Sequence, residues 1–366
     1  MRYKVVKTFI SDIDSFIMLK KGERVYPKSI YEGNEKWPNW IYCEKSGSEE
    51  AGWVPLQILE KEGETAVVKE DYSAREMNVD EGEVVNGLKR LNGWIWCIRD
   101  DGKEGWIPEE NLSIIDCDFE KLYNEGLSAT FKGWNFSYLD KRMITVDKMP
   151  WNYRHAVEKH IVKATCLLDM GTGGGEFLAS LPNLPKNTYA TESYRPNIPI
   201  AKRRLEPLGI EVKEFEDDRN LPFEDDVFDL VINRHDSYHP QELIRIMKES
   251  GTFITQQVGE LDNVKLNHFF DNHSRDDNNW CLNSAVSDLE KAGFAILSKK
   301  EAFLKTLFTD IAAVVYYLKV IQWQIPGIEL DSPLVIEKLK RLHEIIIEKG
   351  PFETKQHRFI IIAKTP

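Results

Sequence analysis

Polar and apolar residues alternate over short stretches through the first third of the chain, each stretch closed by Gly, Asp or Asn, with almost no helical periodicity. A period of two between turn residues predicts short strands. The pattern occurs twice. Trp40-Ile41-Tyr42-Cys43 leads through an acidic turn to Gly52-Trp53-Val54-Pro55, and Trp94-Ile95-Trp96-Cys97 leads through Asp101-Gly102 to Gly105-Trp106-Ile107-Pro108. Upstream of each lies a matched extended segment ending in Gly22-Glu23 or Gly82-Glu83. This is an internal repeat of about 55 residues, and the Asp-Gly step is a hairpin signal.

The texture changes after residue 115. Asp118-Phe119-Glu120-Lys121-Leu122-Tyr123 opens a helical pattern. Further on, apolar runs at 166–170, 188–191, 211–215, 228–233, 251–258, 294–299 and 357–363 read as strands. They alternate with amphipathic stretches at 198–208, 241–249, 284–292, 310–321 and 334–349. Such alternation predicts an α/β domain with a mostly parallel sheet. The divisions are 1–60 and 61–116 for two small all-β units and 117–366 for the α/β domain. The apolar stretch 303–325 is interrupted by Lys305, Asp310 and Lys319 and reads as a buried or dimerising helix.

Composition narrows the classes. A chain of 366 residues, 42% hydrophobic and 30% charged, is expected to fold throughout. Net charge is −12, the wrong sign for coating nucleic acid or an anionic membrane. The first 116 residues hold 16 basic and 23 acidic side chains, so most of the excess lies there and nucleic acid is not excluded as a partner of the larger domain. The start of the chain has no apolar signal core and no run long enough for a membrane span, so the expected location is cytoplasmic. Five scattered cysteines (Cys43, Cys97, Cys117, Cys166, Cys281) predict neither a disulfide framework nor a metal site.

The repeated Leu/Val-x-x-Gly-Glu turn, the double-aromatic strand and the Gly-Trp-x-Pro segment resemble tandem Src-homology-3-type domains. The resemblance implies two small barrels with grooves for a proline-rich peptide, gripped by Tyr72, Trp94 and Pro108 in the second copy and by Trp37 or Trp40 with Pro55 in the first. The sequence departs from the family where Glu109-Glu110-Asn111-Leu112 puts Leu in place of the usual Tyr. A peptide partner and an intramolecular one therefore stand side by side.

The strongest chemical signal is Leu167-Leu168-Asp169-Met170-Gly171-Thr172-Gly173-Gly174-Gly175-Glu176. Glycines there let a strand turn sharply into a helix with backbone close to a ligand. Glu192 ends the next expected strand, where a carboxylate accepts from ribose hydroxyls. A dinucleotide site wants a small residue at 176, and Glu176 stands there, disfavouring a pyrophosphate. A cationic sulfonium gains from Asp169 and Glu176.

The same run resembles the cofactor motif of class I S-adenosylmethionine-dependent methyltransferases of type 11-like character. Asp217-Asp218-Arg219-Asn220-Leu221-Pro222-Phe223 and Phe228-Asp229-Leu230-Val231-Ile232-Asn233 match its next motifs. Trp134-Asn135-Phe136-Ser137, Pro150-Trp151-Asn152-Tyr153-Arg154, Asn233-Arg234-His235-Asp236-Ser237-Tyr238 and Gln356-His357-Arg358-Phe359 are similar to a Firmicute-type branch. The resemblance implies a Rossmann-like domain with an antiparallel strand and an N-terminal helical lid, binding S-adenosyl-L-methionine. Asp169, Gly171, Gly173 and Gly175 would line its methionine end, Glu192 the ribose, Asp217 or Asp218 the adenine, and Asn233 the edge beside the methyl.

His235, just past the fourth strand, is the expected general base, with Arg234 orienting an anionic substrate; equally, Arg234 meets the cofactor carboxylate or Asp236 and His235 caps the next helix. Trp134, Trp151, Tyr153, Tyr238 and Trp323 are the expected lid and substrate wall. The sequence reads as a methyltransferase of unidentified acceptor whose barrels recruit a partner or substrate. The alternatives are an adaptor or cofactor sensor with an inactive methyltransferase-like domain, and a nicotinamide-dependent oxidoreductase.

Overall fold

The computed structural model describes every residue except 14, 34–36, 116–117, 132–134 and 275–278. Trp134 and Cys117 therefore lie outside the described residues.

The large sheet has eight strands. Its parallel part runs, in spatial order, Met247–Val258, Phe228–Arg234, Cys166–Met170, Asn187–Glu192 and Glu211–Glu214. Phe352–Lys364 joins Met247–Val258 antiparallel, followed by Ala295–Phe308 and Met143–Thr145, each antiparallel to its neighbour. Two strands thus oppose the main direction where one was expected. Every residue of Cys166–Met170 is buried, as a central strand covered on both faces requires. The strand expected at 251–258 begins earlier, at Met247, because the preceding helix Pro240–Ile246 stops where the backbone extends at Met247.

The apolar stretch 303–325 is not one helix. Its first part finishes the Ala295–Phe308 strand, and Asp310 then caps the helix Ile311–Val320 by accepting from the Ala313 N–H. Residues Ile311 to Leu318 of that helix are all buried, which is why its sequence shows no polar face. The helix Phe119–Ser128, opened by the Asp118 cap, packs against it. That helix therefore joins a lobe beside the sheet and is not a lid over the expected cofactor residues.

The barrels depart from the repeat in a specific way. Arg2–Val5, the first strand of copy one, pairs with Val84–Leu91 and Leu112–Ile114 of copy two. Thr65–Val68, the first strand of copy two, pairs with Arg24–Ile30 and Leu59–Glu62 of copy one. The copies have exchanged first strands, so neither 1–60 nor 61–116 closes a sheet alone. Met18–Leu19 pairs with Tyr72–Ser73 across the same junction. The second barrel also continues into the lobe: Tyr3, Val5, Val85 and Ile107 share one core with Leu122, Phe308, Ile311, Val315 and Leu342.

The aromatic platforms turn inward. Trp40, Trp94, Trp106 and Tyr72 lie in a single buried cluster. Trp94 meets Trp37 at 5.1 Å and Phe9 at 5.6 Å, Trp40 meets Trp106 edge-on, and the Trp40 indole N–H donates to the Asn92 carbonyl. Pro55 and Pro108 are buried too. The expected peptide grip is thus covered by the other copy, because the residues that would hold a ligand hold the tandem together.

Candidate functional site

The carboxyl ends of the parallel strands form the rim on which the sequence-predicted residues meet. Cys166–Met170 ends in a turn where Gly171, Gly173 and Gly175 all have positive φ. Gly171 is required sterically: at φ +65 a Cβ would lie 2.1 Å from Asp236 Oδ2. The turn is tied down by Thr172, whose N–H donates to the Thr191 carbonyl at 2.9 Å and whose hydroxyl donates to Asp169 at 2.7 Å.

Three carboxylates converge there. Asp169 is 4% exposed, and burial pushes its pKa up to about 7, against the hydroxyl bond from Thr172 and the pull of Arg234. Asp236, reaching back from the loop after Phe228–Arg234, is pushed up to about 6 by burial and then by Asp218. Its Oδ2 is buried with no hydrogen-bond partner among the described residues. Glu192 is buried and its pKa raised for the same reason, although it accepts from the Tyr194 N–H at 2.7 Å. Carboxylates that repel one another in a cleft favour a cation and oppose a pyrophosphate.

Glu176 is not part of this group. Its carboxylate pairs with Arg204, which also donates to the Gly174 carbonyl, so its charge is already answered. Asp236 supplies the negative charge that the sequence assigned to Glu176. Of the acidic pair, Asp218 lies near enough to Asp236 to act on it, whereas Asp217 is exposed and accepts from the Arg219 N–H.

His235 has φ +65, a conformation that costs a non-glycine residue energy. It is held by its own N–H to the Gln256 carbonyl at 2.8 Å. The residue as a whole is exposed, yet protein crowds the ring, and that crowding, then Arg358 and Arg234, lower its pKa to about 3. The Gln256 amide nitrogen lies 3.0 Å from His235 Nε2, and the Trp151 indole donates to Gln256 Oε1 at 2.8 Å. The expected base thus has Nε2 occupied and a weakened basicity. Arg234 is exposed and lies over the Phe177 ring at 5.0 Å.

One expected cofactor residue, Asn233, and two expected wall residues, Tyr153 and Tyr238, turn out to be framework. Asn233 is fully buried: its Oδ1 accepts from Thr255 and Gln257, and its backbone carbonyl accepts from the Tyr153 hydroxyl. Tyr153 is buried under the rim, and Tyr238 packs edge-on against Phe253 with its hydroxyl buried. Trp323 is 53% exposed in the segment after Ile311–Val320. Gln256, Gln257 and Asp236 are the residues sequence reasoning missed. A run of two glutamines ending a buried strand was the signal, since a buried amide needs partners.

Residues 168–255 match a methyltransferase domain family model, and residues 2–62 and 66–115 each match a variant SH3 domain. The SH3 and PX domain-containing protein 2B of Homo sapiens is 38% identical over 128 residues, as is that of Mus musculus, covering 30% of this chain. The chain spans only 13% of the length of those relatives. Among solved structures, a SAM dependent methyltransferase from Aquifex aeolicus is 14% identical over 68% of this chain and 99% of its own, with TM-score 0.37. The YcgJ protein from Bacillus subtilis is 15% identical over 58% and 97%, with TM-score 0.40. The chain thus carries a match to a methyltransferase domain around the Gly171 turn and two matches to variant SH3 domains ahead of it.

Proposed function

We propose that the cleft binds S-adenosyl-L-methionine and that the chain moves its methyl group to an acceptor held over His235. One observation carries this: Asp169, Glu192 and Asp236 surround a turn whose Gly171 leaves no room for a side chain. The residues fit the group, because the methionine tail bears an ammonium and a sulfonium against one carboxylate, a net cation. Bound there, the cofactor supplies a methyl on a positively charged sulfur.

The chain's own residues position and screen. The unpartnered Asp236 Oδ2 and Asp169 receive the ammonium, Glu192 the ribose hydroxyls, and Asp218 the adenine edge. Arg234 answers the cofactor carboxylate. Asn233 and Tyr153 act from below, fixing the strand end that carries Arg234 and His235. Displacement at carbon is in line, so holding the acceptor about 3 Å from the methyl is the main task.

Recruitment by the barrels takes a narrower form within this reading. With Trp40 and Trp94 covered, a peptide partner would bind outside those faces, and the tandem acts first as an extension of the helical lobe. Titration of the full chain with S-adenosylmethionine and separately with NAD tests the cofactor. Binding of the sulfonium with NAD silent is expected; binding of NAD alone overturns the proposal.

A further inference from the structure

Beyond the carboxylate cluster the cleft presents hydrogen-bond donors. The Trp151 indole N–H can only donate, so Gln256 must present Oε1 to it and its NH2 to His235. His235 Nε2 then accepts, and the proton of the neutral ring sits on Nδ1. The charges acting on this ring are Arg358 and Arg234, both cations.

Arg358 is held in place. Gln256 pairs with Ile360 and Val258 with Arg358 across adjacent strands, so Arg358 and Gln256 share one face of the sheet. The Arg358 side chain is 14% exposed. Its Nη1 bonds Asp262 Oδ1 and the His357 carbonyl, and among the described residues no hydrogen bond uses Nε or Nη2. Asp262 is fixed in turn by accepting from the His357 N–H at 2.9 Å and, through its backbone carbonyl, from Gln324 at 2.8 Å. A guanidinium anchored through one nitrogen keeps its remaining N–H groups aimed without further loss of freedom.

We propose that the methyl acceptor is a small molecule bearing a carboxylate, received by Arg358 and by the Nδ1–H of His235, with Gln256 and Trp151 as positioning residues. The inference rests on the methyltransferase reading above. An ammonium can only donate, and the groups it would meet, Arg358 Nε and Nη2 and the Nδ1–H of His235, are donors as well, so an amine acceptor finds no partner there. An acid answers those donors; its ionised carboxylate oxygen takes the methyl as the carbon–sulfur bond breaks and the sulfur leaves as a neutral thioether, so no proton has to be removed and His235 serves by hydrogen bonding.

The test begins with S-adenosylhomocysteine binding to the full chain; absence of binding sinks the methyltransferase reading itself. A protein-free metabolite extract is then split by ion exchange at neutral pH into anionic, neutral and cationic pools, and each is offered with methyl-labelled S-adenosylmethionine. Label uptake from the anionic pool alone is expected. Arg358→Gln should raise the acceptor KM about tenfold or more with S-adenosylhomocysteine affinity kept, and Arg358→Lys should recover part of it. Nitrogen-15 spectra, assigned with His235→Gln, should show His235 neutral and protonated on Nδ1, and Gln256→Glu should move that signal. Uptake confined to the cationic or neutral pool, no uptake from any pool by a protein that binds S-adenosylhomocysteine, or a His235 protonated on Nε2, overturns the carboxylate assignment and does not touch the cofactor reading.

Discussion

The two ends of the molecule carry equally readable motifs and use them in opposite ways. In the barrels, Trp40 and Trp94 keep their place in the repeat but face each other's copy, buried. At the Gly171 turn the motif residues stay around a cleft, with carboxylates whose pKa burial raises and an Asp236 Oδ2 that has no hydrogen-bond partner among the described residues. A motif therefore reports how the chain turns, while exposure and unpartnered polar atoms report whether it acts.

The largest effect that would sharpen this contrast comes from deleting residues 1–115. The second barrel and the lobe share one core, so the remainder should lose its cooperative thermal transition, and a stable, cofactor-binding remainder would show the barrels to be separable. Next, Trp106→Ala should cost about 3–5 kcal/mol of stability in denaturant unfolding, because the ring is 4% exposed and packs on Trp40, Trp96 and Tyr72. Cofactor affinity should hardly change.

Gly171→Ala should act the other way round. Its positive φ and the Asp236 carboxylate leave no place for a methyl, so cofactor affinity should fall by about 2–3 kcal/mol. Titration calorimetry reads the loss. An alanine variant that binds normally would remove Gly171 from the site.

A smaller effect is set by pH. Asp169 and Asp236 hold protons in the folded, ligand-free protein up to about 7 and about 6, above the unfolded value of 3.8. The native state thus binds more protons than the unfolded one between these limits. Stability from these groups is present at low pH and lost as pH rises through that window. Affinity for a cationic cofactor moves oppositely, rising as the carboxylates ionise. Thermal unfolding and titration across about pH 5.5 to 8 should show the two trends crossing, and parallel trends would contradict the assignment.

Legibility in the sequence followed the same division. The Gly-rich turn and Glu192 were readable because both act locally, at strand ends that periodicity locates. The strand exchange was not, since the two first strands share the run Val-Val-Lys, as Val5-Val6-Lys7 and Val67-Val68-Lys69. Either suits either barrel, so only tertiary packing decides. Asp236 was passed over because its chemistry depends on a loop folding back onto Gly171, a contact between positions far apart in the chain. His235 was placed correctly past the fourth strand, but its partner Gln256 comes from the neighbouring one, and that pairing sets an amide against its Nε2.

The most direct measurement is a crystal structure of the full chain with S-adenosylhomocysteine. The account predicts the amino-acid tail against Gly171 and Asp236, the ribose on Glu192, and Trp40 and Trp94 still covered by the opposite copy. A ligand bound elsewhere, or a tandem opened with its tryptophans free while the cleft stays closed by Asp236, would contradict it.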